Sequence, residues 1–169
     1  MTTAQSQIQN RKSKIAYYWS LTKPLQSGLL LATGLAGYMS ARCPIFSIPT
    51  LLGLSLSLFL AIAGSTILNM WWDRDIDAKM GRTQKRATSA GLVDGNEVLQ
   101  VGLILSVIGI SWAVAMDSLY GLVVFAGWFF DVVVYSIWLK RRTCWSIILG
   151  GISGAMPILA GRTLGLGSI

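Results

Sequence analysis

The amino-acid sequence predicts an all-α protein, a polytopic bundle of about five helices that cross a membrane. Hydrophobic residues make up 53% of the 169 residues and charged residues only 12%, whereas about a quarter of a soluble domain is charged. Apolar stretches are long enough to cross about 30 Å of hydrocarbon, which takes about 17 to 25 helical residues. Five such stretches lie at 25–41, 48–70, 98–116, 119–139 and 144–160.

The first and the last stretch are the shortest and are rich in glycine, so we expect four of the five to form spans. Small residues let membrane helices approach one another closely. Close helix packing is therefore predicted where glycines recur within one turn, in residues 34–37 and 150–154. A phosphate-binding loop is excluded for the second group, because no strand precedes it.

Residues 1–20 differ from the rest of the chain because they are polar, basic and without an apolar core. Such a segment fits neither a cleavable signal peptide nor a span, and we predict a disordered segment on the cytoplasmic side. Near its end lie Tyr17, Tyr18 and Trp19, aromatic side chains of the kind found at the membrane interface. Residues 21–169 contain no linker long enough to divide them, which predicts a single transmembrane helical domain.

The basic residues are distributed unevenly between the two ends of the predicted helices. All except Arg42 and Arg162 lie before the first predicted span, in residues 74–86 or in residues 140–142. These segments share one side of the membrane, and an excess of lysine and arginine marks the cytoplasmic side. We therefore predict a multi-pass protein of the cell membrane, or of the mitochondrial inner membrane in a eukaryote, with a cytoplasmic N-terminus. The net charge of +7 then reflects topology in a lipid bilayer, and we predict no nucleic-acid partner.

The residue types that are missing exclude several classes of chemistry. The chain has no histidine, which excludes triads with a histidine base and histidine ligands to a metal or a haem from these residues. Cys43 and Cys144 are far apart in the sequence and lack the spacing of metal ligands. The candidate chemistry therefore rests on carboxylates, amides and cations.

The end of the second predicted span carries the most informative residues of the chain. Asn69, Asp73 and Asp77 recur every four residues, so on a helix they share one face. Asp75 points roughly the opposite way, since each residue turns the helix by about 100°. Mg²⁺ is usually held by one or two carboxylates together with waters and substrate phosphate oxygens. We therefore predict that Asp73 and Asp77 bind Mg²⁺, which would bridge them to a phosphorylated substrate.

A simpler interpretation of this acidic run remains open. The acids could pair with nearby cations in a solvated rim at the membrane surface, since ion-pair networks also gather charges. The cations concerned are Arg74, Lys79, Arg82, Lys85 and Arg86. The regular spacing and the direct attachment to a span favour the functional interpretation.

Three further residues have two interpretations each. Trp71 and Trp72 are either anchors at the membrane interface or ring faces that stabilise a carbocation. Asp131 lies in the fourth predicted span, where a carboxylate is costly and is a functional candidate by default. It could accept a hydrogen bond from Tyr135, one turn further on, or be a protonated residue with a structural role.

Three ordered motifs link the chain to a known family. Residues 69–80 read Asn-Met-Trp-Trp-Asp-Arg-Asp-Ile-Asp-Ala-Lys-Met and are followed by Arg82, Thr83 and Arg86. Residues 21–24 read Leu-Thr-Lys-Pro, and residues 135–157 begin Tyr-Ser-Ile-Trp-Leu-Lys-Arg-Arg and end Gly-Ala-Met-Pro. Together these motifs resemble the UbiA superfamily of intramembrane prenyltransferases. Within it, the Asn-Met pair and the last segment most closely resemble the haem O synthases.

The resemblance implies a Mg²⁺-dependent transfer of a farnesyl group from farnesyl diphosphate to a vinyl group of protoheme IX. Asp73 and Asp77 would hold the metal, and Asn69 would orient the catalytic site. Cationic side chains would bind the diphosphate oxygens, arginine being suited to two-point contact. The substrate-binding residues that the resemblance implies are Arg74, Arg82, Lys85, Arg86, Tyr135, Lys140 and Arg141.

The chain departs from the family pattern in two ways. Ala87 follows Arg86, where family members usually have proline. Family chains are also nearly twice as long, and their second half carries another aspartate motif. We expect this chain to be the N-terminal half of such a fold, which needs a second half or a second copy to complete the site. The alternatives are a UbiA-type enzyme with another acceptor and an inactive half-length membrane protein.

Overall fold

The fold is a bundle of α-helices, as the sequence predicts. The computed structural model describes residues 14–45, 47–84 and 86–167, and within these ranges it contains helices and turns but no strand. A π-helical segment, Phe130–Leu139, directly continues one of the helices. The helices are α1 (residues 14–21), α2 (Pro24–Arg42), α3 (Ile48–Asp77), α4 (Gly95–Met116), α5 (Ser118–Phe129) and α6 (Ser146–Leu166).

Four helices in the described part of the chain are long and apolar enough to cross a membrane. They are α3, α4, α5 together with its π-helical segment, and α6, and they match four of the five predicted spans. The remaining stretch forms α2, which has 19 residues but is not among the four. Glutamine, serine, threonine and glycine residues interrupt its leucines and lower its hydropathy.

Helix α1 differs from the prediction of disorder as far as residue 20. Residues 1–13 lie outside the described part of the chain, but the rest of that segment is helical. Leu21, at the end of α1, is fully buried in an apolar cluster with residues of α3 and α4. Tyr18 Oη donates a hydrogen bond of 3.2 Å to the carboxylate of Glu97. Local composition does not reveal this helix, because its packing partners come from distant parts of the chain.

The start of α4 is fixed by an N-terminal cap. The carboxylate of Asp94 accepts a hydrogen bond from the backbone N of Glu97 at 3.4 Å, which satisfies one of the free N–H groups of the first turn. The side chain of Glu97 turns towards α1, where it lies 3.4 Å from Lys14 Nζ. The loop before α4 and the N-terminal helix are thereby joined at one end of the bundle.

Helix α3 is long enough to carry side chains beyond the hydrocarbon. Its 30 residues extend about 45 Å at 1.5 Å per residue, whereas the hydrocarbon is about 30 Å thick. The last two turns, which contain Asp73 and Asp77, therefore reach the membrane surface while remaining part of a rigid helix.

Glycines let the helices pack closely around α3 and α6. A Cβ atom at Gly109 of α4 would lie 2.5 Å from the backbone N of Ala61 in α3. At Gly161 of α6, a Cβ atom would lie 2.8 Å from the backbone N of Tyr38 in α2. These approaches hold α4 against α3 and α2 against α6, leaving a space between the two pairs.

Candidate functional site

A cavity of about 490 Å³ occupies the space between α2, α3, α5 with its π-helical segment, and α6. Its wall follows α3 from Leu58 to Asp77, a distance of about 28 Å along the helix. The end near the membrane surface is lined by Lys23, Asn69, Asp73, Asp77, Arg82, Arg86, Tyr135 and Lys140. The opposite end is lined by Leu58, Ala61, Ile62, Val124, Trp128, Met156 and Pro157. One cavity therefore joins a charged end to an apolar end.

Asp73 and Asp77 both line the charged end of the cavity, and both residues are buried. Asp73 forms an ion pair with Lys140. Asp77 forms an ion pair with Arg86, whose Nη1 lies 2.5 Å from the carboxylate oxygen Oδ2. Both acids are thus neutralised by cations that come from other segments of the chain.

The two carboxylates fit a Mg²⁺ ion that also binds a substrate. Asp73 Oδ1 is buried and has no hydrogen-bond partner within the described ranges, and an unpaired buried oxygen of this kind is costly. Among the described residues no cluster of three or more histidine, cysteine or acidic side chains could hold a metal. The protein alone therefore does not surround the ion, but Mg²⁺ needs only one or two carboxylates when substrate phosphates complete its shell.

Asp75 lies on the other side of α3, as its spacing predicts. Its carboxylate is exposed and pairs with Arg141, with Nη2 to Oδ1 at 2.8 Å and Nη1 to Oδ2 at 3.1 Å. Neither residue lines the cavity. Arg141 is thus placed away from the cavity, because it lies in the turn after the π-helical segment and its side chain is directed to Asp75.

Arg74 is also placed outside the cavity. Its guanidinium carbon lies 5.4 Å from the ring centroid of Trp71, and that of Arg141 lies 5.2 Å from the ring centroid of Trp72. The two tryptophans do not line the cavity either, so they bind arginines at the helix surface and do not face a carbocation there. The positions of Arg74 and Arg141 give no support to their predicted contact with substrate.

The π-helical segment brings Tyr135 and Lys140 to one face. The backbone N of Lys140 donates to the backbone O of Tyr135 at 2.8 Å, a bond that spans five residues. Lys140 Nζ lies 5.5 Å from the Tyr135 ring centroid, and the ring packs against Gly150 of α6. Both residues line the cavity, although a sequence pattern with the α-helical period would not place them together.

A polar network crosses the cavity wall one turn below Asp73. Asn69 Nδ2 donates to Asp131 Oδ2 at 2.8 Å, and Ser136 Oγ donates to Asn69 Oδ1 at 2.7 Å. Ser153 Oγ lies 3.5 Å from the other oxygen of Asp131. Asp131 therefore contacts Asn69 and Ser153, where the sequence suggested Tyr135 as its partner.

Lys23 lines the cavity but is not among the predicted substrate-binding residues. It lies directly before α2 with φ of 45°, a left-handed conformation that is uncommon for residues with a side chain and is enriched at functional sites. Burial lowers the pKa of its ammonium group, and the positive charges of Arg86 and Lys140 lower this pKa further. An anion in the cavity would therefore stabilise the charge on Lys23. Its position in the Leu-Thr-Lys-Pro motif is the sequence feature that could have identified Lys23 as a site residue.

The remaining predicted site residues fall into two groups. Arg82 and Arg86 line the cavity from the loop after α3. Lys85 lies outside the described residues, so its predicted role stays a prediction. Thr83, between the two arginines, is buried and donates to the backbone O of Asp77 at 3.0 Å. This bond folds the basic loop back over the end of α3.

Relatives of known name share much of the sequence. A protoheme IX farnesyltransferase of Archaeoglobus fulgidus is 47% identical over 144 residues, which is 83% of this chain and 50% of that protein. One of Pyrobaculum arsenaticum is 44% identical, covering 90% of this chain and 54% of the relative. The chain therefore spans about half the length of these curated relatives.

The fold has a counterpart among solved structures, and the family follows from the sequence. A UbiA homologue from Archaeoglobus fulgidus bound to GPP and Mg²⁺ superposes with a TM-score of 0.76, covering 90% of this chain and 55% of the other. The two are 19% identical, so this likeness concerns the fold. The family model described as UbiA prenyltransferase family matches residues 30–169. The chain belongs to the UbiA prenyltransferase family.

Proposed function

We propose that the protein transfers a farnesyl group from farnesyl diphosphate to a vinyl group of protoheme IX, in a Mg²⁺-dependent reaction inside the membrane. The observation that carries this proposal is the cavity, which joins four cations and two buried carboxylates to an apolar space along α3. The diphosphate would occupy the charged end. The farnesyl chain would extend past Asn69 among the apolar residues.

Binding would exchange the partners of the charged residues. Asp73 and Asp77 would hold the ion, releasing Lys140 and Arg86 from their present ion pairs. These cations, with Lys23 and Arg82, would then bind diphosphate oxygens, which charged hydrogen bonds favour. Bound Mg²⁺ would offset the negative charge of the departing diphosphate. In this scheme the residues of the chain bind and orient the leaving group before the carbon–oxygen bond breaks.

The choice of acceptor rests on the names of the relatives and on the resemblance of the motifs. Two proteins named protoheme IX farnesyltransferase are 47% and 44% identical to the chain. The chain lacks histidine, so its own contacts to a haem would be apolar packing and pairing of propionates with arginine or lysine. Transfer to another acceptor, as in other UbiA-type enzymes, is the alternative that the experiment must distinguish from transfer to haem.

We propose further that a second half or a second copy completes the site. Removal of even one group that stabilises developing negative charge costs about 10² to 10³ in rate, and Asp73 and Asp77 supply carboxylates from one side only. We propose also that the protein lies in the cell membrane with its N-terminus on the cytoplasmic side, which the position of the basic residues supports.

The proposed function is tested with membranes that contain the natural protein. Labelled farnesyl diphosphate, protoheme IX and Mg²⁺ are incubated together, and the haems are extracted and separated by chromatography with mass spectrometry. We expect a haem that carries the farnesyl group and one added water, and none when Mg²⁺ is chelated. Transfer of the label to a different acceptor, or no transfer at all, would reject farnesylation of haem.

Residues 1–169 expressed alone provide the test of completeness. We expect these residues to insert in membranes but to form no farnesylated haem in cells that lack their own haem farnesyltransferase. The control is the same assay with a longer family member in those cells. A clear product from residues 1–169 would contradict the need for a second half and would favour a site built by two copies.

A further inference from the structure

Asp131 is the cavity carboxylate for which the proposed function has no role. Three acids line the cavity, and both Asp73 and Asp77 are held in ion pairs. Asp131 has no lysine or arginine within ion-pair distance among the residues that the structure describes. Its oxygens instead meet the amide of Asn69 and the hydroxyl of Ser153.

A carboxylate at this depth is expensive to maintain. Acidic side chains inside a membrane face a cavity or a partner and usually mark a functional site. A purely structural acid would be expected to have a cation or a full set of donors. Asp131 has one hydrogen bond of 2.8 Å and one of 3.5 Å, and it borders the cavity.

The surrounding network presents donors to Asp131, so the acid is left as an acceptor. Ser136 is fully buried, and its Oγ donates to Asn69 Oδ1 at 2.7 Å. This bond fixes the amide of Asn69 with Nδ2 turned to Asp131. Asp131 therefore accepts a hydrogen bond from Asn69, whereas the Ser153 hydroxyl at 3.5 Å donates more closely to the backbone O of Gly150, at 2.8 Å. The acid keeps free acceptor capacity, which suits an ionised group ready to accept a proton.

Asp131 lies at the level of the cavity where the first carbon of the farnesyl chain would react. Asn69 lies four residues before Asp73, about 6 Å along α3. A diphosphate held by Asp73 and Asp77, with its chain directed to the apolar end, must place its first carbon near this level. The acceptor vinyl group must meet that carbon at the same level, beside Asp131.

Resting on the proposed function, we propose that Asp131 is a catalytic residue that accepts the proton of the water that completes the reaction. The first carbon of the farnesyl chain bonds to the terminal vinyl carbon, and the diphosphate leaves with the electron pair of the broken carbon–oxygen bond. The positive charge then lies on the vinyl carbon next to the ring. Water oxygen bonds to that carbon, and one water proton passes to a carboxylate oxygen of Asp131. The product is an alcohol, and the proton is later released to solvent.

The consequence is a change in the product when Asp131 cannot accept a proton. Without a base for water, the cation loses a proton from the adjoining carbon to an oxygen of the departed diphosphate, and the electron pair of that C–H bond forms an alkene, which is lighter than the alcohol by one water. A positioned base typically contributes about 10² to 10⁴ in rate. We therefore expect Asp131→Asn in the natural protein to raise the ratio of alkene to alcohol by about tenfold or more, while Asp131→Glu keeps the alcohol as the main product.

The experiment measures both haem products by mass spectrometry and, separately, Mg²⁺-dependent binding of a non-reactive farnesyl diphosphate analogue. Asp131→Ser is a second neutral variant, in case Asp131→Asn does not fold. The proposal is overturned if a neutral variant makes the alcohol alone at the wild-type rate, or if both neutral variants lose binding of the analogue, which would indicate a structural role. A wild-type protein that forms no farnesylated haem would reject the proposed function itself, so the two failures are distinct.

Discussion

Three aspartates within five residues occupy two different environments in this protein. Asp73 and Asp77 are buried at the end of the cavity, and Asp75 is exposed beside Arg141. We predict that Asp73→Asn and Asp77→Asn each weaken Mg²⁺-dependent binding of a farnesyl diphosphate analogue by about tenfold or more, since a charged hydrogen bond contributes about 1.5 to 3 kcal/mol. Equilibrium binding to the purified natural protein measures this loss.

Asp75→Asn is the matched control for the two cavity aspartates. It removes the same charge from the same helix, but on the face that does not line the cavity. Its effect on binding should be small, because an exposed ion pair contributes about 0 to 1 kcal/mol. Equal losses for all three variants would indicate that the acids act as a solvated rim and not as a site.

Lys23 gives a second prediction at the scale of single residues. Because burial and neighbouring cations lower the pKa of its ammonium group, a bound diphosphate should raise this pKa again and gain affinity from it. We predict that Lys23→Met weakens binding of inorganic diphosphate by about tenfold. Lys79→Met, at an exposed position away from the cavity, is the control. Unchanged binding in Lys23→Met would show that the side chain does not contact the anion.

The spacing of residues along one helix predicts much of the site, and contacts between helices account for the rest. Asn69, Asp73 and Asp77 share the cavity wall because helical period alone determines that face. The contact of Asn69 with Asp131 joins residues 62 positions apart, which no local pattern encodes. Arg74 was selected for its charge, but it lies one residue from Asp73 and so points to Trp71.

Helix packing gives a prediction at the scale of elements. Gly161 is buried, and its missing side chain allows α6 to lie against Tyr38 of α2. We predict that Gly161→Ala destabilises the protein by about 1 to 3 kcal/mol, the usual cost of overpacking. Thermal unfolding in detergent should show a lower Tm.

The same helix offers a control for this substitution. Gly151 is exposed, and a Cβ atom there would have no neighbour within 4 Å. Gly151→Ala should leave the Tm unchanged or raise it slightly, since alanine favours a helix over glycine by about 1 kcal/mol. Similar losses in both variants would mean that close approach to α2 is not what Gly161 provides.

The helices themselves were predicted well because a long apolar stretch in a membrane can form few structures other than a helix. Four of the predicted spans are confirmed by helices of sufficient length and hydropathy. Helix α1 was missed because its stability comes from burial of Leu21 against α3 and α4. The π-helical segment was missed because its apolar sequence has no feature that separates it from an ordinary helix.

At the scale of the whole molecule, the native cysteines report topology. Cys43 follows α2 and Cys144 precedes α6, and both are exposed free thiols. The proposed orientation predicts that an impermeant maleimide added to whole cells labels Cys43 but not Cys144, and labels both after permeabilisation. Cys43→Ser and Cys144→Ser assign each signal. Labelling of Cys144 alone in whole cells would reverse the proposed orientation.

The π-helical segment makes the site sensitive to the count of residues in the chain. Asp131 and Ser136, five positions apart, both contact Asn69, and Lys140 contacts Tyr135, also five positions away, because this turn is wider than an α-helical turn. Loss of one residue from the intervening valines would restore an ordinary helix and rotate Lys140 by about 100° relative to Asp131. Substitutions here exchange one side chain, but a deletion would separate Asp131 from Ser136 and turn Tyr135 and Lys140 away from Asp131 at once. The segment should therefore accept changes of residue type among its valines and keep its length constant.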